Sequence, residues 1–218
     1  MSLVYNILSL CDCDILLTTS MAHQAYVPPV PRADQSHIQN GALILVIGPM
    51  FSGKTSFLHH MFDKYTRSGR DCVMVTHQSD VRYDESGDET TYSRTHNKNK
   101  IPCVRTLNDP SIDNHDVVLV DEVQFFENGD VAVDKLAMSG KIVICGGLSG
   151  DFKRQPFPVV SSLIAKADEI IHLKAICYQT GKEAPFSQKT KVTENDSQIE
   201  IGGAELYQPV SRQAYVCA

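Results

Sequence analysis

The stretch Ala42-Leu43-Ile44-Leu45-Val46-Ile47, followed by Gly48-Pro49-Met50-Phe51-Ser52-Gly53-Lys54-Thr55, decides how this chain folds. The first six residues are all apolar and predict a short strand buried on both faces, as a parallel sheet requires. The next eight match GxxxxGK[ST] in full. A chain leaving a strand there must wrap its N–H groups around an anion, and glycines permit that backbone and let a phosphate come close. A helix is expected over Ser56–Arg67, with Phe57, Leu58, Met61 and Tyr65 at helical spacing and Gly69 ending it. Its positive N-terminal end would face the same anion. Lys54 is then placed for the β- and γ-phosphates and the Thr55 hydroxyl for a metal, so ATP and Mg²⁺ are the expected cofactors.

Outward from that core, apolar runs predict further strands at Cys72–Thr76, Val117–Val120, Lys141–Cys145 (capped by Gly146-Gly147) and Glu169–Leu173. Helices are expected over Val131–Ser139 and from Pro156 to Ala167. Strands alternating with helices give an α/β fold: a P-loop NTPase parallel sheet flanked by helices. Residues 77–100 are polar and without period, which predicts a long loop. Residues 174–218 are turn-rich and β-leaning, with Gly181, Gly202-Gly203 and Pro209, and read as a small β-rich C-terminal lobe. Pro28, Pro29 and Pro31 among polar residues make 1–40 a flexible N-terminal extension. The expected organisation is therefore extension 1–40, core 41–173 and lobe 174–218.

Composition narrows the function classes. Of 218 residues 42% are hydrophobic, enough for a buried core, and the formal charge is −6 from 20 basic and 26 acidic residues. No basic stripe offers itself to a nucleic acid. No run approaches the roughly 20 apolar residues that span a bilayer, so no membrane partner is expected. Ile7–Thr18 is interrupted by Asp12 and Asp14 and lacks a positive leader, which argues against a signal peptide. Seven cysteines, an odd number with no CxxC pair, point to a reduced, intracellular chain, and the cytoplasm is the expected compartment. Cys72 and Cys145 lie inside apolar runs, where Cys serves as a small buried hydrophobe.

Asp121-Glu122 closes the Val117–Val120 strand. Ligands gather at the carboxyl ends of strands in a parallel sheet. An Asp there supports Mg²⁺, and an adjacent Glu can act as general base toward a hydroxyl or water. Alone, the pair would serve equally well as an acidic helix start; the phosphate loop upstream tips the reading toward chemistry.

Further motifs follow in order: Asp80-Val81-Arg82-Tyr83, Asp121-Glu122-Val123-Gln124-Phe125-Phe126, Gly147-Leu148-Ser149-Gly150-Asp151-Phe152, Pro156-Phe157 and Ile201-Gly202-Gly203-Ala204-Glu205-Leu206-Tyr207. With the phosphate loop, this set resembles the type II thymidine kinase family over residues 42–215. The resemblance implies ATP-dependent phosphorylation of the 5′-hydroxyl of thymidine, and of deoxyuridine, in nucleotide salvage. It implies Glu122 as general base, Lys54 and Arg82 as catalytic cations, and Gly48, Pro49, Met50, Phe51, Ser52, Gly53, Lys54 and Thr55 as the ATP loop. Thr55 and Asp121 would serve Mg²⁺. The nucleoside would meet Met50, Asp80, Arg82, Gln124, Phe125, Leu148, Phe152, Phe157, Ser187, Ile199, Ile201, Gly202 and Tyr207. A homotetramer is implied as well.

The family usually carries a structural zinc held by two CxxC pairs. The matching positions here are Cys177, Thr180, Ser211 and Ala214. With one thiolate retained, a degenerate zinc-ribbon-like lobe without zinc is expected. The competing function is a P-loop ATPase or switch hydrolysing ATP for a partner; it accounts for the phosphate loop and acidic pair but not for the other motifs. A non-catalytic relative is the third alternative, and it would be expected to have lost Lys54, Glu122 or Arg82.

Overall fold

The computed structural model describes residues 41–77, 92–94, 100–190 and 205–215. They all lie within one compact unit, Ala33–Ala218. The expected N-terminal extension falls outside the described residues. Seven strands form the main sheet: β1 (Ala42–Gly48), β2 (Cys72–Thr76), β3 (Tyr92–Arg94), β4 (Lys100–Val104), β5 (Val117–Asp121), β6 (Ile142–Leu148) and β7 (Glu169–His172). Their order is β3-β4-β2-β5-β6-β1-β7. Only β3 runs antiparallel; the other six strands are parallel.

The uninterrupted apolar runs follow from having a helix layer on each face. Successive side chains on a strand point to opposite faces. Leu43, Leu45, Val73, Val75, Val118, Val120, Val143 and Cys145 face one core, with Val133 and Ala137 of α2 (Gly129–Met138) and Val160 and Leu163 of α3 (Pro158–Ile164). Ile44, Val46, Met74, Val117, Leu119, Ile142 and Ile144 face the other core, against Leu58, Met61 and Tyr65 of α1 (Lys54–Arg67). Two antiparallel pairs follow the sheet: β8 (Ala175–Ile176) with β9 (Glu183–Ala184), and β10 (Phe186–Lys189) with β11 (Tyr207–Val210). No helix among the described residues is long and apolar enough to cross a membrane.

Several elements differ from the sequence expectation. β3 falls inside the expected 77–100 loop, and β4 was not expected. Pro102 lies in β4 and speaks against a strand by propensity; β4 pairs with β2 beyond it, at Met74↔Cys103 and Val75↔Val104. β6 runs through Gly146-Gly147 rather than being capped there. A Cβ on Gly146 would stand 3.1 Å from Leu58 Cδ1 and 3.3 Å from Asp121 Oδ1, and one on Gly147 3.1 Å from Val123 Cγ1 and Val160 Cγ2. Those glycines permit close packing rather than a turn. α3 opens at Pro158, not Pro156, and stops at Ile164. Phe157 is extended, as a residue preceding proline tends to be. Cys145 is fully buried as expected, while Cys72 is half-buried.

Candidate active site

The phosphate loop leaves β1 at Gly48, where a Cβ would lie 2.6 Å from Leu173 O and Ser52 Oγ. The backbone then passes through the left-handed region at Phe51 (φ 64°) and Gly53 (φ 86°). Gly53 is the N-cap of α1, and no side chain caps the helix; its first turn carries no acidic residue. The open N–H groups and the helix dipole thus present positive potential. Lys54 is buried beneath the loop, and its Nζ donates to Pro49 O at 2.9 Å. Ser52 Oγ is shielded from solvent and has no hydrogen-bond partner among the described residues. An orphaned hydroxyl inside a loop of inward-turned backbone fits a polyphosphate.

The acidic pair meets this loop. Thr55 Oγ1 donates to Asp121 Oδ2 at 2.8 Å, and Glu122 N donates to Asp121 Oδ1 at 3.1 Å. In register, Asp121 lies beside Thr76 and Gly48 beside Leu148, so the ends of four strands, β2, β5, β1 and β6, come together here. Glu122 has a left-handed backbone (φ 51°, ψ 50°) and is 7% exposed. That conformation is costly for a non-glycine residue and recurs where a side chain must be aimed. Thr55 and Asp121 supply the oxygen chemistry Mg²⁺ prefers.

The residues expected around a nucleoside are distributed as follows. Met50 N donates to Ser187 Oγ at 2.9 Å, so β10 is tied directly to the phosphate loop. Gln124 bridges Glu122 and Leu148: its Nε2 donates to Glu122 Oε2 at 2.5 Å and its Oε1 accepts Leu148 N at 3.2 Å. Phe152 is buried, with Lys189 Nζ 4.2 Å from its ring centroid. Phe157 packs in the core shared by α2 and α3. Tyr207 is buried on β11, in register with Lys189. Phe125 is half-buried, its ring 5.9 Å from that of His77. Asp80, Arg82, Ile199, Ile201 and Gly202 lie outside the described residues. Two features went unread in the sequence. His77, edge-on to Phe126 at 5.0 Å, follows the end of β2, and the strand-end rule would have singled it out. The Ser187–Met50 bond spans 137 residues, and no sequence signal announces it.

The family model for thymidine kinase matches residues 41–215. The chain belongs to the thymidine kinase family. A thymidine kinase of Amsacta moorei entomopoxvirus is 40% identical over 184 residues, covering 78% of this chain and 96% of the viral one. Vaccinia virus thymidine kinase is 35% identical, covering 82% and 99%. Thymidine kinase 1 of Dictyostelium discoideum is 35% identical, covering 80% and 78%. Among solved structures, a DNA replication initiation factor matches at 16% identity over 64% of this chain and 42% of its own, with a TM-score of 0.38, too distant to bear on function.

A thymidine kinase with a structural zinc would hold it in the segment where this chain has Cys177, Thr180, Ser211 and Ala214. These four positions converge. The Thr180 and Ser211 hydroxyls are hydrogen-bonded at 3.3 Å, Ser211 Oγ accepts Ala214 N at 3.3 Å, and Ala214 packs with Ala175, Cys177 and Ala184. The Cys177 thiol is enclosed and lowered to about 6, chiefly by the Thr180 hydroxyl, then by backbone N–H groups, against the opposing effect of burial. One sulfur, two hydroxyls and a methyl do not make a tetrahedral zinc site. A hydrogen-bonded cluster occupies its place.

Proposed function

We propose that this thymidine kinase family member transfers the γ-phosphate of ATP to the 5′-hydroxyl of thymidine, and of deoxyuridine, with Glu122 as general base. The observation that carries the reading is the Glu122 carboxylate, aimed by a left-handed backbone beside the Thr55–Asp121 contact at the phosphate loop. A Glu122 oxygen takes the proton of the 5′-hydroxyl. The freed oxygen attacks the γ-phosphorus, and the bond to the bridging oxygen breaks, leaving ADP with the electron pair. Such transfers depend on positioning and charge stabilisation more than on covalent chemistry. The loop N–H groups, Ser52 and Lys54 hold the phosphates; Arg82 is assigned to the transferring group through its match to the family motif. Thr55 and Asp121 hold Mg²⁺, which when bound neutralises phosphate charge. Met50, Phe125, Leu148, Phe152 and Tyr207 supply the apolar surroundings a methylated pyrimidine prefers. A homotetramer in the cytoplasm, serving nucleotide salvage, completes the proposal.

The test is ADP release with ATP and Mg²⁺, comparing thymidine, deoxyuridine, deoxycytidine, deoxyadenosine and no nucleoside. Release confined to thymidine and deoxyuridine is expected. Steady release without nucleoside would replace the proposal with an ATPase.

A further inference from the structure

We infer that Gln124 is a positioning residue for the Glu122 carboxylate rather than a contact to the nucleoside. The inference rests on the reading of Glu122 as the base.

The amide's orientation follows from its neighbours. Leu148 N–H can only donate, so the end of Gln124 lying 3.2 Å from it is the carbonyl oxygen. The NH₂ group is thereby turned to Glu122 Oε2, 2.5 Å away. An amide NH₂ only donates, so the oxygen it meets must accept. The contact thus fixes where that oxygen lies. Gln124 and Glu122 are each 7% exposed, so water competes poorly for either group.

The same contact bears on position. Glu122 follows the end of β5 with a left-handed backbone, outside any helix or strand. The 3-10 turn Val123–Phe125 returns Gln124 to the same side, and Leu148 is the last residue of β6. One amide therefore ties the base, at the end of β5, to the backbone at the end of β6. Gly147 leaves the space: a Cβ there would stand 3.4 Å from Gln124 Oε1.

The experiment uses the full chain with saturating ATP, Mg²⁺ and thymidine. Phosphoryl-transfer rates are measured at neutral pH, with steady-state KM for both substrates. Gln124→Glu is isosteric and still accepts Leu148 N–H, but it sets a second carboxylate against Glu122. With no donor left to hold Glu122 Oε2, the base is displaced and the rate should fall about tenfold or more. KM for thymidine should change less than about threefold, since substrate binding is not what Gln124 serves. Gln124→Met removes the donor and should lower the rate about tenfold or more at neutral pH. Unchanged rates in Gln124→Glu and Gln124→Met overturn the inference, as does a tenfold rise in thymidine KM at unchanged rate, which would make Gln124 a base-reading residue. Glu122→Gln separates the two readings. If it stays active, the assignment of the base falls. If it is dead while Gln124→Glu and Gln124→Met keep the wild-type rate, only the role of Gln124 falls.

Discussion

Ser187→Ala tests whether the small lobe acts on the phosphate loop. The serine lies 5% exposed on β10, and its oxygen accepts Met50 N–H at 2.9 Å. Alanine removes the acceptor and leaves a gap the size of one hydroxyl. A buried donor stripped of its partner costs about 1–3 kcal/mol. Met50 is only half-buried, which places the cost near the lower end. If the loop must hold Met50 in place to bind phosphate, about 1 kcal/mol corresponds to roughly a fivefold rise in the KM for ATP. The thymidine KM, measured at saturating ATP, should change much less. Ser187→Thr retains an oxygen and should recover most of the ATP affinity. The opposite pattern, with thymidine KM raised and ATP KM unchanged, would refute this reasoning. It would mean that the hydroxyl serves the nucleoside pocket and that the bond to Met50 is incidental.

Three further perturbations bear on the core and the lobe. Gly146→Ala sets a methyl 3.1 Å from Leu58 Cδ1 and 3.3 Å from Asp121 Oδ1; overpacking of this kind costs about 1–3 kcal/mol. Denaturant unfolding should show that loss, and activity should fall further than stability does because Asp121 is displaced. Exhaustive EDTA treatment followed by Mg²⁺ readdition should leave the thermal midpoint unchanged, whereas Thr180→Cys/Ser211→Cys/Ala214→Cys should bind zinc and melt higher with it than without, read by metal analysis and melting. The Cys177 thiol sits near 6 in the fold, below its ordinary range. Its thiolate contribution is complete above the unfolded thiol's range, declines as pH falls through it, and is gone below about 6. Urea midpoints should therefore rise between about pH 6 and 9 more steeply in the wild type than in Cys177→Ser.

Much of this fold was legible because helices cover both faces of the sheet. Burial on both sides demands unbroken apolar runs, and β1, β2, β5 and β6 show them. β4 was not legible, since Pro102 breaks its strand signal and its pairing with β2 begins only after that residue. The ends of β6 and α3 were misjudged for a related reason. Gly146-Gly147 and Pro156 resemble punctuation in a sequence, and only the packing of Leu58, Val123 and Val160 shows the glycines to be close-approach positions. In the site, the phosphate loop and Asp121-Glu122 carry local patterns with a mechanical meaning. The bridge from Gln124 to Leu148 and the bond from Ser187 to Met50 join distant segments and leave no local pattern to read.

The distribution of left-handed residues bears on the choice of site independently of any motif. Among the described residues four non-glycines have positive φ: Phe51, Glu122, Asn128 and Arg154. All four lie in connections leaving the C-terminal ends of β1, β5 and β6. At the opposite edge, where α1 and α2 return to β2 and β6, the left-handed positions are Gly69 and Gly140, and both close helices through paired turns: Gly69 N to Thr66 O with Arg70 N to Tyr65 O, and Gly140 N to Ala137 O with Lys141 N to Leu136 O. A turn that only has to reverse the chain takes glycine, which adopts that backbone without penalty. A turn that must also present a side chain cannot. Glu122 accepts strain that glycine would remove, and glycine would remove the carboxylate with it. The edge of the sheet carrying the strain is therefore the edge where side chains are needed, and it is the edge that holds the phosphate loop and the proposed base.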